Sequence, residues 1–420
     1  MKKAMNVPTI EIIAIGSELL RGEVQDLTAN LLSERLTRMG LKPHYQTTVN
    51  DDERTIKEAI LQGFSRADLL VLIGGLGPTF DDITRDVVAS FFSVPLVDLP
   101  SVKRRIRQYF KKVGKKPSSP CLSVARIPKG SRLVMNRIGL APGFFVRSGK
   151  KSLIALPGVP REATVMFDEE AYPILRQLFP AASRSPRLLF KVVGISETEV
   201  LKKLKGVLRL DDPAFECGIY PKTGEVHLRI ALRSPLKRKD ISRLRILEKA
   251  IEKRLKSNLF AREEVSLEEV VGRTLKGRRK TLALAESCTG GLIGKLITDI
   301  PGASDYYLGG MIVYSNAAKE IMLGIPRGII ERSGAVSRPV AKLMARAVQL
   351  ELGADLGAAV TGIAGPTGGF RTKPVGTVWL ALASKERTVA HKIVLAGDRS
   401  NIRLKASRAL LKLILDELRK

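Results

Sequence analysis

One feature recurs along this chain and constrains its fold more than any other. A short apolar run breaks into glycine, and a segment with helical periodicity follows. Residues 10–15 end at Gly16, residues 69–73 run into Gly74-Gly75-Leu76-Gly77-Pro78, and residues 153–156 run into Pro157-Gly158. Between them, Asp26 or Thr28 is placed to cap a helix that reaches Met39 and stops at Gly40. Residues 41–49 read as a strand, 54–65 as a helix, and a further helix opens at Asp82 or Thr84. Strands alternating with helices predict a mostly parallel sheet covered by helices, a three-layer αβα arrangement. Ligands in such folds sit beyond the carboxyl ends of the strands, where Gly16 and the Gly74 loop both fall.

The pattern changes and then returns. Residues 101–120 are basic and become rich in Pro and Ser, which reads as a helix followed by an exposed loop. From 172 to 260, strands at 188–193, 216–220 and 225–232 combine with helices at 197–208 and 239–255 into a small α+β module without a glycine-rich phosphate loop. The βα rhythm resumes near 265. A helix over 267–276 and a strand over 281–286 precede the turn Ser287-Cys288-Thr289-Gly290-Gly291, from which a helix runs to 298. Strands at 306–314, 358–361, 376–383 and 388–394, helices at 317–323 and 338–352, and a long amphipathic helix over 399–418 complete the chain. A length of 420 residues suits two or three domains. The expected boundaries are 1–172, 173–262 and 263–420.

Composition removes several functional classes. Three cysteines and three histidines form neither a disulfide framework nor a zinc-site spacing, so hydrolytic chemistry here needs a base other than histidine. No apolar run approaches the ~18–20 residues that span a bilayer. The N-terminus meets Pro8 and Glu11 before any long apolar core, unlike a secretory signal. A cytoplasmic protein without a membrane partner is expected. The net charge is +29. Because the excess is spread along the chain and densest between 171 and 262, it reads first as a solvated surface. Nucleic acid is the less favoured partner, and small phosphorylated molecules would benefit from the same field.

The turn at 287–291 follows a strand and opens a helix, which exposes a nucleophile at the sheet edge. Backbone amides at a helix N-terminus are then available to an oxyanion. Ser287 in that place suits acyl transfer, and Lys319 in Tyr314-Ser315-Asn316-Ala317-Ala318-Lys319 is the candidate base. A lysine serves as a base only when its pKa is lowered. The plainer alternative is a capping residue, glycines for close packing, and a surface lysine. Cys288 is the rival nucleophile. A third glycine segment, Thr361-Gly362-Ile363-Ala364-Gly365-Pro366, also follows a strand and lets backbone approach a ligand. Asp398 and Arg399 begin the last helix. Arg399 suits a phosphate, or is simply solvated beside a capping Asp398.

In the first segment, backbone amides of Gly74, Gly75 and Gly77, with Thr79, are suited to cradle phosphate. Asp81 and Asp82 beside such a site would hold a divalent metal, or cap the helix that follows.

Taken together, AESCTGG, PGAS at 301–304, YSNAAK, GAVS at 334–337, TGIAGPTGG, KPVGTV at 373–378 and GDR at 397–399 resemble the C-terminal domain of the CinA family. The resemblance implies a nicotinamide mononucleotide deamidase with a serine nucleophile and a lysine base, which fall on Ser287 and Lys319. It points to Thr289, Gly290, Tyr314 and Asn316 as pocket residues, beside Thr361, Gly362, Gly365 and Arg399, and implies no cofactor there. AIGSELL at 14–20, GGLGPT, DDIT, APGF at 141–144 and LPGVP at 156–160 resemble the MoaB/MogA-like molybdopterin-binding fold as it occurs in CinA N-terminal domains. That implies an ADP-ribose pyrophosphatase using a divalent metal such as magnesium. Gly16, Ser17, Gly74, Gly75, Gly77 and Thr79 are expected on the nucleotide, and Glu18, Asp81 and Asp82 on the metal. The middle module takes the place of the family's KH-like module, but Gly194-Ile195-Ser196-Glu197 lacks a G-x-x-G loop, so RNA binding is not expected. A homodimer is expected. The rival functions are a non-enzymatic partner in competence or DNA damage, and a pterin-type ligand-binding protein.

Overall fold

The computed structural model describes residues 8–180, 186–233 and 238–420. The chain divides into two compact units, Met1–Arg184 and Ser185–Lys420. Among the described residues no helix is long and apolar enough to cross a membrane.

The first unit contains strands β1 (Ile10–Ile15), β2 (Pro43–Val49), β3 (Leu69–Ile73), β4 (Leu96–Asp98), β5 (Arg126–Pro128), β6 (Arg132–Val134), β7 (Gly143–Ser148) and β8 (Lys151–Leu156). Six of them form a sheet in the order β2-β1-β3-β8-β7-β6, and β4 and β5 pair as a separate ribbon. Strands β2, β1, β3 and β8 are parallel, as the βα rhythm predicts, whereas β7 and β6 run antiparallel.

Side-chain alternation explains why these strands read as continuous apolar runs. Ile10, Ile12, Leu69, Val71 and Ile154 face one core, against the helices Leu27–Arg38 and Pro160–Met166. Ile13, Ile15, Leu70, Leu72 and Leu153 face another, against the helices Glu53–Arg66, Thr84–Phe91 and Pro100–Lys112. Strands covered on both faces are apolar at every position. The antiparallel end departs from the parallel expectation: in β7 the apolar run is only Phe144-Phe145-Val146 before Arg147 and Ser148 turn to solvent, and such a short run carries no sign of strand direction.

In the second unit, β9 (Arg187–Val193), β10 (Phe215–Lys222), β11 (Glu225–Leu232) and β12 (Leu259–Ala261) form an antiparallel sheet in the order β10-β11-β9-β12. The helices Glu197–Leu204 and Arg238–Leu255 bury Val200, Leu204, Leu244 and Ile251 against it. Next come β13 (Leu282–Glu286), β14 (Tyr307–Ile312), β15 (Leu356–Gly362), β16 (Thr377–Ala383) and β17 (Thr388–Val394), in the order β14-β13-β15-β16-β17. Strand β13 runs parallel to both β14 and β15, and β16 and β17 continue antiparallel.

Leu282 and Leu284 face the helices Leu267–Gly277 and Arg399–Leu418, while Ala283 and Ala285 face the helix Arg338–Glu351. A helix at Arg327–Ser333 was also unanticipated, since it buries only Ile330. Val193, Phe260 and Ala261 of the small module belong to the same apolar cluster as Ile402 and Ala406 of the last helix. That shared core is the physical reason the middle module and the C-terminal segment form one unit.

Candidate functional sites

The C-terminal site is built at the carboxyl ends of β13, β14 and β15. The amide of Ser287 donates to Val360 O (3.0 Å), and the amide of Val313 donates to Glu286 O (2.8 Å). These bonds tie the residue after β13 to the strands on both sides. Lys319, on the helix Asn316–Leu323, is only 1% exposed, and its Nζ lies 3.1 Å from Ser287 Oγ. The same amine donates to the carbonyls of Val313 (2.7 Å), Tyr314 (3.1 Å) and Ser315 (3.4 Å). Among the described residues no carboxylate bonds to it. Burial lowers its pKa to about 8. The lysine is therefore a desolvated amine held against a hydroxyl, not a surface charge.

Cys288 points the other way, into the apolar cluster with Val360 and Val378. Burial pushes its thiol up to about 12, so it carries almost no thiolate at neutral pH. Gly362 makes room for it, because a Cβ there would lie 3.1 Å from Cys288 Sγ and 2.7 Å from Val378 Cγ2.

The helix N-terminus after the turn does not serve an oxyanion, contrary to the expectation above. The buried Glu286 carboxylate already accepts from the amides of Gly291 (3.0 Å), Ile293 (3.1 Å) and Gly294 (2.8 Å). A carboxylate is the natural occupant of that dipole end. Among the described residues, the amides of Cys288 and Thr289 have no backbone acceptor. Glu286 was visible in the AESCTGG motif, but nothing in a linear motif shows where its side chain turns.

The remaining candidates converge. Arg399 donates to Gly365 O (2.7 Å) and to the Tyr314 hydroxyl (2.7 Å), tying three of them together. Tyr314 and Asn316 are exposed. Thr289 is fully buried, with its Oγ1 unpartnered. Gly290 takes φ +58°, which favours glycine and lets the turn fold back. Thr361 is committed elsewhere, donating to Ala335 O at 3.0 Å. Sequence reasoning missed Arg403. One helical turn after Arg399, it donates to Thr289 O at 2.6 Å. Among the described residues neither arginine pairs with a carboxylate, which leaves the Arg403 charge on the nucleophile turn and the Arg399 charge at Tyr314. The i, i+4 spacing was legible in the sequence; the target of Arg403 was not.

A second site lies in the first unit, a cleft of about 660 Å³ beyond the carboxyl ends of β1, β3 and β8. Gly16, Gly74, Gly75, Gly77 and Thr79 line it, together with Glu18, Asp81 and Asp82. Gly75 has φ +65°, and a Cβ there would lie 2.1 Å from Thr84 Oγ1. Thr84 Oγ1 in turn donates to Gly74 O at 2.9 Å.

Arg85, which sequence reasoning also missed, is buried behind this loop and bonds the carbonyls of Leu76 and Gly77 (3.0 Å to the latter). A trans peptide points its N–H opposite its C=O. Turning the Leu76 carbonyl inward therefore aims the Gly77 amide outward. Ser17 bonds Asp51 and Asn50. Arg105, Arg137, Tyr109 and Glu162 form the far wall.

The expected metal ligands share the cleft without forming a cage. Among the described residues, no group of three or more His, Cys, Asp or Glu side chains is placed to hold a metal ion. Asp82 Oδ2 is engaged by the amide (2.8 Å) and hydroxyl of Thr79. Glu18 folds back over Gly16, where a Cβ would meet its carboxylate at 2.5 Å. Asp81 Oδ1 is buried with no hydrogen-bond partner among the described residues.

These two units define a multi-module α/β protein with a cleft in the first unit and a buried serine–lysine pair in the second. Family profiles match in chain order: a probable molybdopterin binding domain over residues 11–177, the damage-inducible protein CinA KH domain over 188–261, and the CinA C-terminal domain over 264–418. A relative from Caldanaerobacter subterraneus, named as a competence-damage inducible protein, is 38% identical over 397 residues, covering 94% of this chain and 95% of its own. A CinA-like protein from Dictyoglomus thermophilum is 38% identical over 395 residues, covering 94% and 95%. The crystal structure of a competence/damage inducible protein from Agrobacterium tumefaciens is 35% identical, covers 38% of this chain and all of its own, and has a TM-score of 0.35. The chain belongs to the CinA family.

Proposed function

We propose that the second unit is an amidohydrolase that converts nicotinamide mononucleotide to nicotinate mononucleotide and ammonia. The observation that carries this reading is the buried Lys319 amine 3.1 Å from Ser287 Oγ. In its neutral form the amine keeps its hydrogens on the Val313 and Tyr314 carbonyls and turns its lone pair to the serine hydroxyl. Ser287 Oγ attacks the carboxamide carbon as its proton passes to Lys319. The amides of Cys288 and Thr289 receive the oxyanion. Collapse breaks the C–N bond, and Lys319 returns the proton to the departing ammonia. Water, deprotonated by the same amine, then attacks the acyl-enzyme and releases the acid and Ser287. Arg399 and Arg403, lacking carboxylate partners, suit the phosphate of the nucleotide.

For the cleft of the first unit the supported reading is narrower. Gly-loop amides backed by the buried Arg85 suit the pyrophosphate of a nucleotide such as ADP-ribose. Asp81, whose Oδ1 is buried without a partner among the described residues, is the carboxylate that would meet a divalent metal carried in with the phosphates.

Ammonia release from nicotinamide mononucleotide by the purified chain tests the first reading. Turnover that disappears in Ser287→Ala and Lys319→Ala supports it. Absence of turnover in the wild-type chain, with ADP-ribose bound, overturns it and leaves the first unit as the functional one.

A further inference from the structure

The middle module reaches the amidase site through a single turn. The β10–β11 hairpin turns at Thr223 and Gly224, and this turn sits against the first three turns of the helix Arg399–Leu418. Thr223 Oγ1 donates to Asn401 Oδ1 at 3.2 Å. Asn401 in turn closes on Asp398, its amide on Oδ1 (2.7 Å) and its Nδ2 on Oδ2 (2.9 Å). Asp398 is the N-cap of the helix, and the next residue is Arg399.

On the far side of the turn, Arg408 bonds Thr223 O and pairs with the Glu225 carboxylate at 3.1 Å. Glu225 is buried, and its other oxygen meets His227 Nε2 at 3.0 Å. Gly224 has φ +83°, and a Cβ there would lie 3.2 Å from Arg408 Cδ and 3.5 Å from Lys405 Cα. The turn is thus fitted to the helix at residues 401, 405 and 408, and the helix presents Arg403 to Thr289 O in the Ser287 turn and Arg399 to Gly365 O and the Tyr314 hydroxyl.

We infer that this hairpin turn is a brace for the amidase site, with Thr223 and Arg408 as positioning residues that hold the cap of the last helix and thereby the reach of Arg399 and Arg403. The inference rests on the amidase reading for its functional consequence, and on the hydrogen-bond chain Thr223–Asn401–Asp398 for its geometry. It gives the KH-like module, which lacks a G-x-x-G loop, a task that needs no RNA. A buried carboxylate held by one arginine and one histidine is costly to leave incomplete. The turn is therefore anchored at Glu225, and Thr223 is the finer contact.

Thr223→Val in the full chain removes the hydroxyl and keeps the volume, and Thr223→Ser keeps the hydroxyl. With Thr223→Val, the KM for nicotinamide mononucleotide is expected to rise about fivefold, the effect of one hydrogen bond, while kcat stays within about twofold. Thr223→Ser is expected to restore the wild-type KM. In an Arg399→Lys background the Thr223→Val effect should shrink, because one of the two contacts it acts through is gone.

Amide hydrogen exchange at Asn401 and Ile402 provides a readout that needs no substrate. It should quicken about fivefold in Thr223→Val. Unchanged KM and unchanged exchange, or an effect that simply multiplies with Arg399→Lys, overturn the brace. A wild-type chain that does not turn over the nucleotide retires the amidase reading, and exchange at residues 401 and 402 then decides the brace alone.

Discussion

The Lys319 amine and the Ser287 hydroxyl lie 3.1 Å apart although 32 residues separate them in the chain. Two parallel strands make this contact. Strand β13 delivers Ser287 at its end, and β14, paired beside it, leads into the helix that carries Lys319. Removing either group should therefore stop the chemistry without unmaking the sheet. Ser287→Ala and Lys319→Ala are each expected to lower kcat/KM for the nucleotide by at least ~10²-fold. Cys288→Ala is expected to keep kcat within about threefold, since that thiol faces the core. Steady-state ammonia release, with circular dichroism to confirm the fold, checks all three.

The lowered pKa of Lys319 fixes a pH dependence. Burial brings the amine to about 8, and the base must be neutral to take the serine proton. Hence kcat/KM should rise with pH through about 8 and level off above it. The sign for stability follows from the same shift. The folded lysine loses its proton at lower pH than the unfolded one. Between about 8 and the ordinary value of 10.5 the unfolded chain therefore binds more protons, and this group adds stability as pH rises through that window. A pH–rate profile whose limb falls with rising pH would contradict the base assignment.

Glu286 holds three amides at the start of the helix Leu292–Thr298 from a position 3% exposed to solvent. Glu286→Gln keeps the size but replaces one acceptor oxygen with a donor facing other donors. Unfolding in urea should show a loss of about 2 kcal/mol, in the range for hydrogen bonds to a charged group. Because the Ser287 turn is built on those amides, activity should fall as well.

In the first unit, Gly75 combines φ +65° with a hypothetical Cβ 2.1 Å from Thr84 Oγ1. Gly75→Ala must move the loop that lines the cleft. Calorimetric titration with ADP-ribose is expected to show at least a tenfold loss of affinity, equivalent to about 1.4 kcal/mol. Unaltered binding would mean that the loop amides do not hold the ligand.

What the sequence by itself determined here is the layout. Apolar runs such as 69–73, ended by Gly74, specify buried parallel strands, because a strand covered on both faces must be apolar at every position. Glycines after those strands specify where backbone comes close to a ligand, because a missing Cβ removes the steric cost of positive φ and of close approach. Ser287, Lys319 and the Gly74 loop were legible on those grounds. The antiparallel β7 was not, since Phe144-Phe145-Val146 is too short a run to show strand direction and Arg147 and Ser148 face solvent.

What only the tertiary structure decided is where polar side chains end, since hydrogen bonding between distant residues leaves no period in the sequence. Glu286 takes the helix amides expected for an oxyanion. Arg85 turns the Leu76 and Gly77 carbonyls inward. Arg403 holds Thr289, and Asp82 is claimed by Thr79 rather than left for a metal. For Lys319, already the candidate base in the sequence, only the fold supplies the burial that lowers its pKa to about 8, since no local spacing encodes it.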